Sequence, residues 1–98
     1  MAFSTNTLRV LYFTSAQCTV CHVILPKLKE LVLQNFPTLV VEEIKAELSP
    51  EICGKYLTFS FPAIILLYNE QVMWKKAGIF SLIEVNTNIT KALTQING

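Results

Sequence analysis

A pair of cysteines separated by two residues stands where the chain passes from a strand into a helix. An apolar run, 10–13, precedes the pair, and helical periodicity begins at Cys18, so that Cys21 lies one turn into the helix. A disulfide between these two residues closes across that turn. At the helix start, Cys18 faces unpaired backbone N–H groups and the positive end of the helix dipole, which lower the pKa of its thiol. The pattern predicts a reversible disulfide on a strand–helix unit.

The length and charge of the chain limit the kinds of protein that it can be. A chain of 98 residues is predicted to form one domain, 1–98, that buries roughly 60–70% of its unfolded surface. Its three cysteines are too few for a disulfide scaffold. A net charge of +1 gives no electrostatic basis for binding nucleic acid or an anionic membrane. No apolar run approaches the ~20 residues of a membrane span, and the polar stretch 1–7 is unlike a secretion signal, so we expect a cytoplasmic protein.

The chain is rich in hydrophobic residues, which make up 52% of it, above the usual ~45–50%. One interpretation is a sheet that is buried on both faces. The other is an exposed apolar patch that receives peptide substrates or a dimer partner. The composition favours the buried sheet and leaves both interpretations open.

The alternation of apolar periods predicts the element order β-α-β-α-β-β-α. The predicted strands are 8–13, 39–44, 63–68 and 71–76. The predicted helices are 18–35, 50–56 and one from 82 to about 97–98. The first two strands are joined through a helix and are therefore expected to be parallel, with a right-handed crossover. The last two form a hairpin. The predicted fold class is α/β, with a four-stranded mixed sheet in the order 2-1-3-4 and helices on both faces.

Two of the helices are predicted to bury one face each. Steps of three and four residues mark that face in the first helix (Cys21, Ile24, Leu25, Leu28, Leu31, Val32) and in the last (Leu82, Val85, Ile89, Leu93, Ile96). Pro26 is expected to kink the first helix, because proline lacks the backbone N–H and crowds the preceding turn. In the last strand, alternation places Val72 and Trp74 on the same face.

Several segments, taken in order, resemble the thioredoxin family. Tyr12–Cys21 is similar to that family's first core strand and active-site segment, and Pro26 stands where its active-site helix carries a proline. Ser49–Tyr56 resembles the segment before the substrate loop, and Phe61–Leu66 resembles the stretch that holds the family's cis-proline. Gly78 follows at the family's spacing. The resemblance implies a thioredoxin-like fold that lacks the extra N-terminal β-α unit.

The resemblance also assigns roles to individual residues. Cys18 is the expected nucleophile and Cys21 the residue that resolves the mixed disulfide. The implied substrate surface consists of Thr19, Val20, Phe61, Pro62 and Gly78, with a cis peptide bond before Pro62. A trans proline that opens an edge strand is the alternative. His22 is expected to modulate the Cys18 thiolate or to be a solvated side chain. Phe59 and Phe61 are expected on the same side, lining an apolar groove or packing in the core.

The chain departs from the family pattern around the cysteine pair. Gln17 replaces a tryptophan, and Thr19-Val20 replaces Gly-Pro. Tyr12 stands at the position of the family's buried acid, and Glu43 at the position of the lysine that often accompanies that acid. Both residues are therefore expected to modulate proton handling. Glu43 is interpreted either as a replacement carboxylate or as an exposed charge at the end of a strand.

The resulting hypothesis is a thiol–disulfide oxidoreductase that acts on protein disulfides, needs no cofactor or metal and is recycled by a reductase. It is expected as a monomer or weak dimer. The alternatives are a thioredoxin-fold binding module with an inactive cysteine pair and, less favoured, a dithiol that holds a metal. The sequence Cys-Thr-Val-Cys-His also fits a haem-attachment pattern, which the continuous packed helix disfavours. Cys53 is expected to be a buried helix residue, with a regulatory thiol as the alternative.

Overall fold

The computed structural model describes residues 8–97. Within that range, seven helices and strands follow one another in the predicted order, β-α-β-α-β-β-α. The elements are β1 (Leu8–Thr14), α1 (Thr19–Asn35), β2 (Val41–Lys45), α2 (Pro50–Lys55), β3 (Ala63–Tyr68), β4 (Gln71–Ala77) and α3 (Leu82–Asn97). Within the described range, no helix is both long and apolar enough to cross a membrane.

The four strands form one mixed sheet in the order β2-β1-β3-β4, which confirms the predicted topology. β1 and β2 are parallel, while β3 is antiparallel to both β1 and β4. Phe13 is paired with Ala63, and Ala63 is paired with Ala77. As a result, the last residues of β1, the first of β3 and the last of β4 lie at the same end of the sheet. The loops that follow β1 and β4 and the loop that precedes β3 lie together there.

The two faces of the sheet carry separate cores, because alternate residues of the central strands point in opposite directions. Val10 and Tyr12 of β1 belong to a cluster with α1 and α3, whereas Leu11 and Phe13 belong to a cluster with α2. β1 and β3 are buried along almost their whole length. The high hydrophobic content is therefore explained mainly by a sheet that is covered on both faces.

The predicted helix faces are confirmed. Apolar residues at the predicted positions of α1 and α3 pack in the cluster that also contains Tyr12, namely Ile24, Leu25, Leu28, Leu31, Val32, Leu82, Val85, Ile89, Leu93 and Ile96. Cys21 is fully buried, and Cys53 is buried in the cluster on the α2 face. These faces fix how α1 lies across the sheet, and thereby where its first turn presents the cysteine pair.

The predicted shared face of Val72 and Trp74 is wrong. A β-bulge shifts the register between Leu66 and Leu67, so that Trp74 is opposite Leu66 and Val72 is opposite Leu67. Met73 is the extra residue, and it packs with Trp74 against the α1/α3 core. Val72 is left exposed. Strict alternation fails here because a bulge moves the following residues to the other face.

Candidate active site

Cys18 and Cys21 form a disulfide at the start of α1. Their Cα atoms are 5.3 Å apart, within the usual range for a disulfide. Cys18 is the N-cap residue of α1, and its Sγ accepts a hydrogen bond from the backbone N–H of Cys21 at 3.2 Å. Its own N–H donates to the Ser15 carbonyl at 3.0 Å. In the reduced state, the same N-cap geometry places backbone N–H donors beside the Cys18 sulfur and favours its thiolate form.

The two cysteines differ in accessibility. Cys18 is partly exposed, whereas Cys21 is completely buried. Thr19 and Val20, the two residues between them, are exposed in the first turn, and Val20 shows half of its surface to solvent. This difference allows an incoming disulfide to reach Cys18 but not Cys21, as expected for a nucleophile and a resolving cysteine.

Tyr12 lies directly beneath the cysteine pair. Its side chain is completely buried, its ring packs edge-on against Phe80 with centroids 6.3 Å apart, and its Oη donates to the Cys21 carbonyl at 2.8 Å. Burial, with a smaller contribution from the charge of Glu43, raises the pKa of Tyr12 to about 12. At neutral pH the phenol is therefore a neutral donor that fastens α1 to β1 at Cys21.

Glu43 lies in β2 next to Tyr12 in the strand register. Its Oε2 accepts a hydrogen bond from Thr14 Oγ1 at 3.1 Å, and Thr14 is almost completely buried. The Glu43 side chain itself is partly buried. The side chain of Glu43 therefore turns toward the buried hydroxyl of Thr14 at the active-site end of β1, and its role as a replacement carboxylate or as a charge at the end of a strand stays a prediction.

Glu47, which the sequence reasoning missed, holds the loop that leads to Cys18. Its Oε2 accepts hydrogen bonds from Ser15 Oγ at 2.9 Å and from the Ala16 backbone N–H at 3.0 Å. These bonds, led by the one from Ala16, lower the pKa of Glu47. Glu47 also lines a cavity of about 350 Å³ with His22, whose exposed side chain makes no hydrogen bond to Cys18 in the described structure.

The predicted substrate loop, which precedes β3, lies at the same end of the sheet as the cysteine pair. The Phe61–Pro62 peptide bond is cis. The N–H of Gly78 donates to the Pro62 carbonyl at 2.8 Å, so the structure brings these two predicted residues together. Gly78 has a φ of +87°, a conformation that favours glycine. Phe61 packs on the α2-side core, while Phe59 is exposed; they differ because this segment is not a strand and strand alternation does not apply.

Within 8–97, no three or more histidine, cysteine, aspartate or glutamate side chains come together as they would to hold a metal ion.

The comparisons with known proteins agree with this geometry. The Thioredoxin family model matches residues 2–91. The chain is 36% identical to the thioredoxin-like protein YdfQ of Bacillus subtilis over 56 residues, which cover 57% of this chain and 49% of that protein; the match thus spans about half the length of that relative. Thioredoxin 1 of Chlorobaculum tepidum is 22% identical over 81 residues, or 83% of this chain and 80% of that protein.

A solved structure extends the comparison to three dimensions. Thioredoxin 1 from Thermosipho africanus superposes with a TM-score of 0.81 and 30% identity, covering 92% of this chain and 99% of that one. The family match, this fold and the bonded pair together support thiol–disulfide oxidoreductase chemistry at Cys18 and Cys21. The chain belongs to the thioredoxin family.

Proposed function

We propose that this domain reduces disulfides in protein substrates through Cys18 and Cys21, and does so in the cytoplasm as a monomer or weak dimer. The observation that carries the proposal is the asymmetry of the pair. Cys18 is accessible and caps the start of α1, whereas Cys21 is buried beneath it. That arrangement favours attack by one sulfur and resolution by the other.

The exchange is balanced without a bound cofactor. The Cys18 thiolate attacks one sulfur of the substrate disulfide, and the other substrate sulfur leaves as a thiolate that takes up a proton. Cys21 then loses its proton and attacks Cys18 Sγ, which releases the second substrate thiol and leaves the Cys18–Cys21 disulfide. Two electrons have passed to the substrate. A reductase that supplies two electrons returns the pair to the dithiol.

This chain departs from its family in the step that removes the proton from Cys21. Tyr12 is neutral at physiological pH, since its pKa is raised to about 12, and it cannot accept that proton. Glu43 is the carboxylate bonded to the buried Thr14 at this end of β1. We assign proton acceptance to Glu43 and positioning of Cys21 to Tyr12. His22 is exposed in the first turn of α1 and is assigned no step of the exchange.

The segments around Cys18 favour proteins over charged small disulfides as substrates. None of the three stretches 15–23, 57–62 and 78–83 contains an Asp, Glu, Lys or Arg residue. They expose apolar side chains instead, including Val20, Phe59, Ile79 and Ile83. We assign to Phe61, Pro62, Gly78, Thr19 and Val20 the surface against which an extended substrate segment lies.

The proposal is tested by trapping the mixed disulfide. Replacing the resolving residue, Cys21→Ser, should leave a substrate protein bound covalently to Cys18 and released by a dithiol, while Cys18→Ser captures nothing. Cys53→Ser is the matched control and should turn over insulin at the normal rate. If Cys21→Ser traps no mixed disulfide and the unaltered domain reduces no protein disulfide, the function fails and the alternative, a binding module, takes its place.

The direction of electron flow has its own test. A reduction potential near the ~−270 mV of thioredoxin is expected for a cytoplasmic reductant, measured by equilibrating the pair in dithiol buffers and counting free thiols by alkylation. A value of about −180 to −120 mV is typical of oxidants and isomerases and would contradict both the proposed direction and the proposed location.

A further inference from the structure

The turn that follows α2 contains a residue in the left-handed backbone conformation. α2 has only six residues, Pro50–Lys55. Leu57, which follows it, has a φ of 51°, in the left-handed region that costs a residue with a side chain roughly 1–2 kcal/mol. The carbonyls at a helix end also lack partners within the helix. A donor from elsewhere in the fold can therefore add stability to this turn.

Lys75 supplies that partner from β4. Its Nζ donates to the Tyr56 carbonyl at 2.5 Å and to the Leu57 carbonyl at 3.2 Å. Lys75 is opposite Ile65 in the sheet, on the face that packs against α2. A lysine at the negative end of a helix is electrostatically favourable and satisfies its last carbonyls. The contact crosses 19 positions of sequence and joins β4 to the turn that follows α2.

The same turn leads directly into the substrate loop. Thr58 is buried; its N–H donates to the Cys53 carbonyl at 2.9 Å, and its Oγ1 donates to the Tyr56 carbonyl at 3.1 Å. At the other end, the Gly78 N–H holds the Pro62 carbonyl. The segment 57–62 is thus hydrogen-bonded at its first residue to Lys75 of β4 and at its last residue to Gly78, which follows β4. Phe59 and Phe61 lie between these two hydrogen bonds.

We propose that Lys75 is a positioning residue that fixes the substrate loop 57–62 for binding of protein disulfides. This inference rests on the proposed function, because it concerns the loop against which the substrate lies. Lys75 touches neither cysteine. Its removal should therefore weaken substrate binding while leaving the chemistry and the potential of the Cys18–Cys21 pair unchanged.

The test compares Lys75→Met, which keeps the length of the side chain but removes the ammonium group, with Lys75→Arg, which keeps the charge and the donors. Lys91→Met, on α3, removes the same charge elsewhere. For Lys75→Met we expect the KM for insulin to rise at least about fivefold with kcat unchanged. Its rate with the small disulfide dithiodipyridine should stay within about twofold of the rate of the unaltered domain. Its reduction potential should equal that of the unaltered domain within the error of the measurement. Lys75→Arg should restore most of the KM, and Lys91→Met should match the unaltered domain.

Amide hydrogen exchange gives a second readout that needs no substrate. Lys75→Met should speed exchange of the Thr58 N–H, since the turn that holds it is loosened. An unchanged insulin KM together with unchanged Thr58 exchange would overturn the proposal. So would an equal loss of rate with the small disulfide or a shifted potential, because Lys75 would then act on the cysteine pair. If the unaltered domain reduces dithiodipyridine but not insulin, the proposed function fails, and the Thr58 exchange alone decides the role of Lys75.

Discussion

The hydroxyl of Tyr12 should contribute measurably to stability and should make that stability depend on alkaline pH. Tyr12→Phe removes the hydrogen bond from Oη to the Cys21 carbonyl and keeps the ring that packs against Phe80. A buried hydrogen bond is worth about 1 kcal/mol net. For a domain of this size, that corresponds to a fall of roughly 4–8 °C in Tm at neutral pH. Tyr68→Phe is the control, because its hydroxyl makes no hydrogen bond in the described structure.

The alkaline effect follows from the pKa of Tyr12, which rises from 10.0 to about 12 on folding. A raised folded-state pKa gives stability that is fully present below the unfolded value and is lost as the pH rises through the folded value. Two pKa units correspond to roughly 2–3 kcal/mol. The unaltered domain should therefore lose about this much between pH 10 and pH 12 relative to Tyr12→Phe.

The assay is urea unfolding, followed by tryptophan fluorescence, of the two proteins at a series of pH values. Subtracting the variant from the unaltered domain removes the contribution of every other titrating group. The difference should be constant up to about pH 10 and should then shrink and change sign. A difference that does not change through the alkaline range would refute the reasoning, because Tyr12 would then ionise in the folded domain as easily as in the unfolded chain.

Three other changes test the parts of the site that surround the pair. Glu43→Gln should slow the resolving step in single-turnover mixing by about tenfold or more while leaving the first attack by Cys18 unchanged; equal resolving rates would remove Glu43 from proton transfer. The pKa of Glu47 is lowered in the folded domain, so its stabilising effect is present above its unfolded pKa and is lost as the pH falls. Acid unfolding of Glu47→Gln should therefore be less steep, and a coincident acid transition would contradict this. Gly78→Ala should destabilise by about 1 kcal/mol because of its positive φ, whereas Gly54→Ala, in open space within α2, should stabilise by about 0.4–1 kcal/mol in thermal unfolding; the opposite order would refute the conformational argument.

The fold could be predicted from the sequence because its elements are strongly periodic. The apolar steps of α1 and α3 and the continuous apolar run of β3 each indicate one kind of element, and the helix between β1 and β2 determines their parallel pairing. The bulge at Met73 could not be predicted in this way. Nothing in the composition of β4 marks it, since the bulge is set by the pairing of Leu66 and Leu67 with the neighbouring strand.

The cysteine pair was equally predictable, whereas its supporting contacts were not. A CxxC motif is local, and two sequence positions define it. Glu47 and Lys75 act on backbone atoms 31 and 19 positions away, and a charged surface residue carries no periodic signal that identifies its partner. Tyr12 was identified as a departure from the family pattern, but its partner is a main-chain carbonyl, which looks the same in every sequence.

Tyr12 and Lys75 make the same kind of hydrogen bond, from a side chain to a main-chain carbonyl, on opposite faces of the sheet. Each donates from a strand to a carbonyl of a helix or helix end that carries part of the site: Tyr12 to Cys21 in α1, and Lys75 to Tyr56 after α2. The buried sheet lies between the two contacts, and they share no partner. Their effects should therefore be independent, since sites that share no contacts add within about 0.5 kcal/mol. In the double variant, the losses of stability should add and the rise in insulin KM should equal that of Lys75→Met alone. A larger combined loss, measured by urea unfolding, would show that the two faces are coupled through β1 and β3.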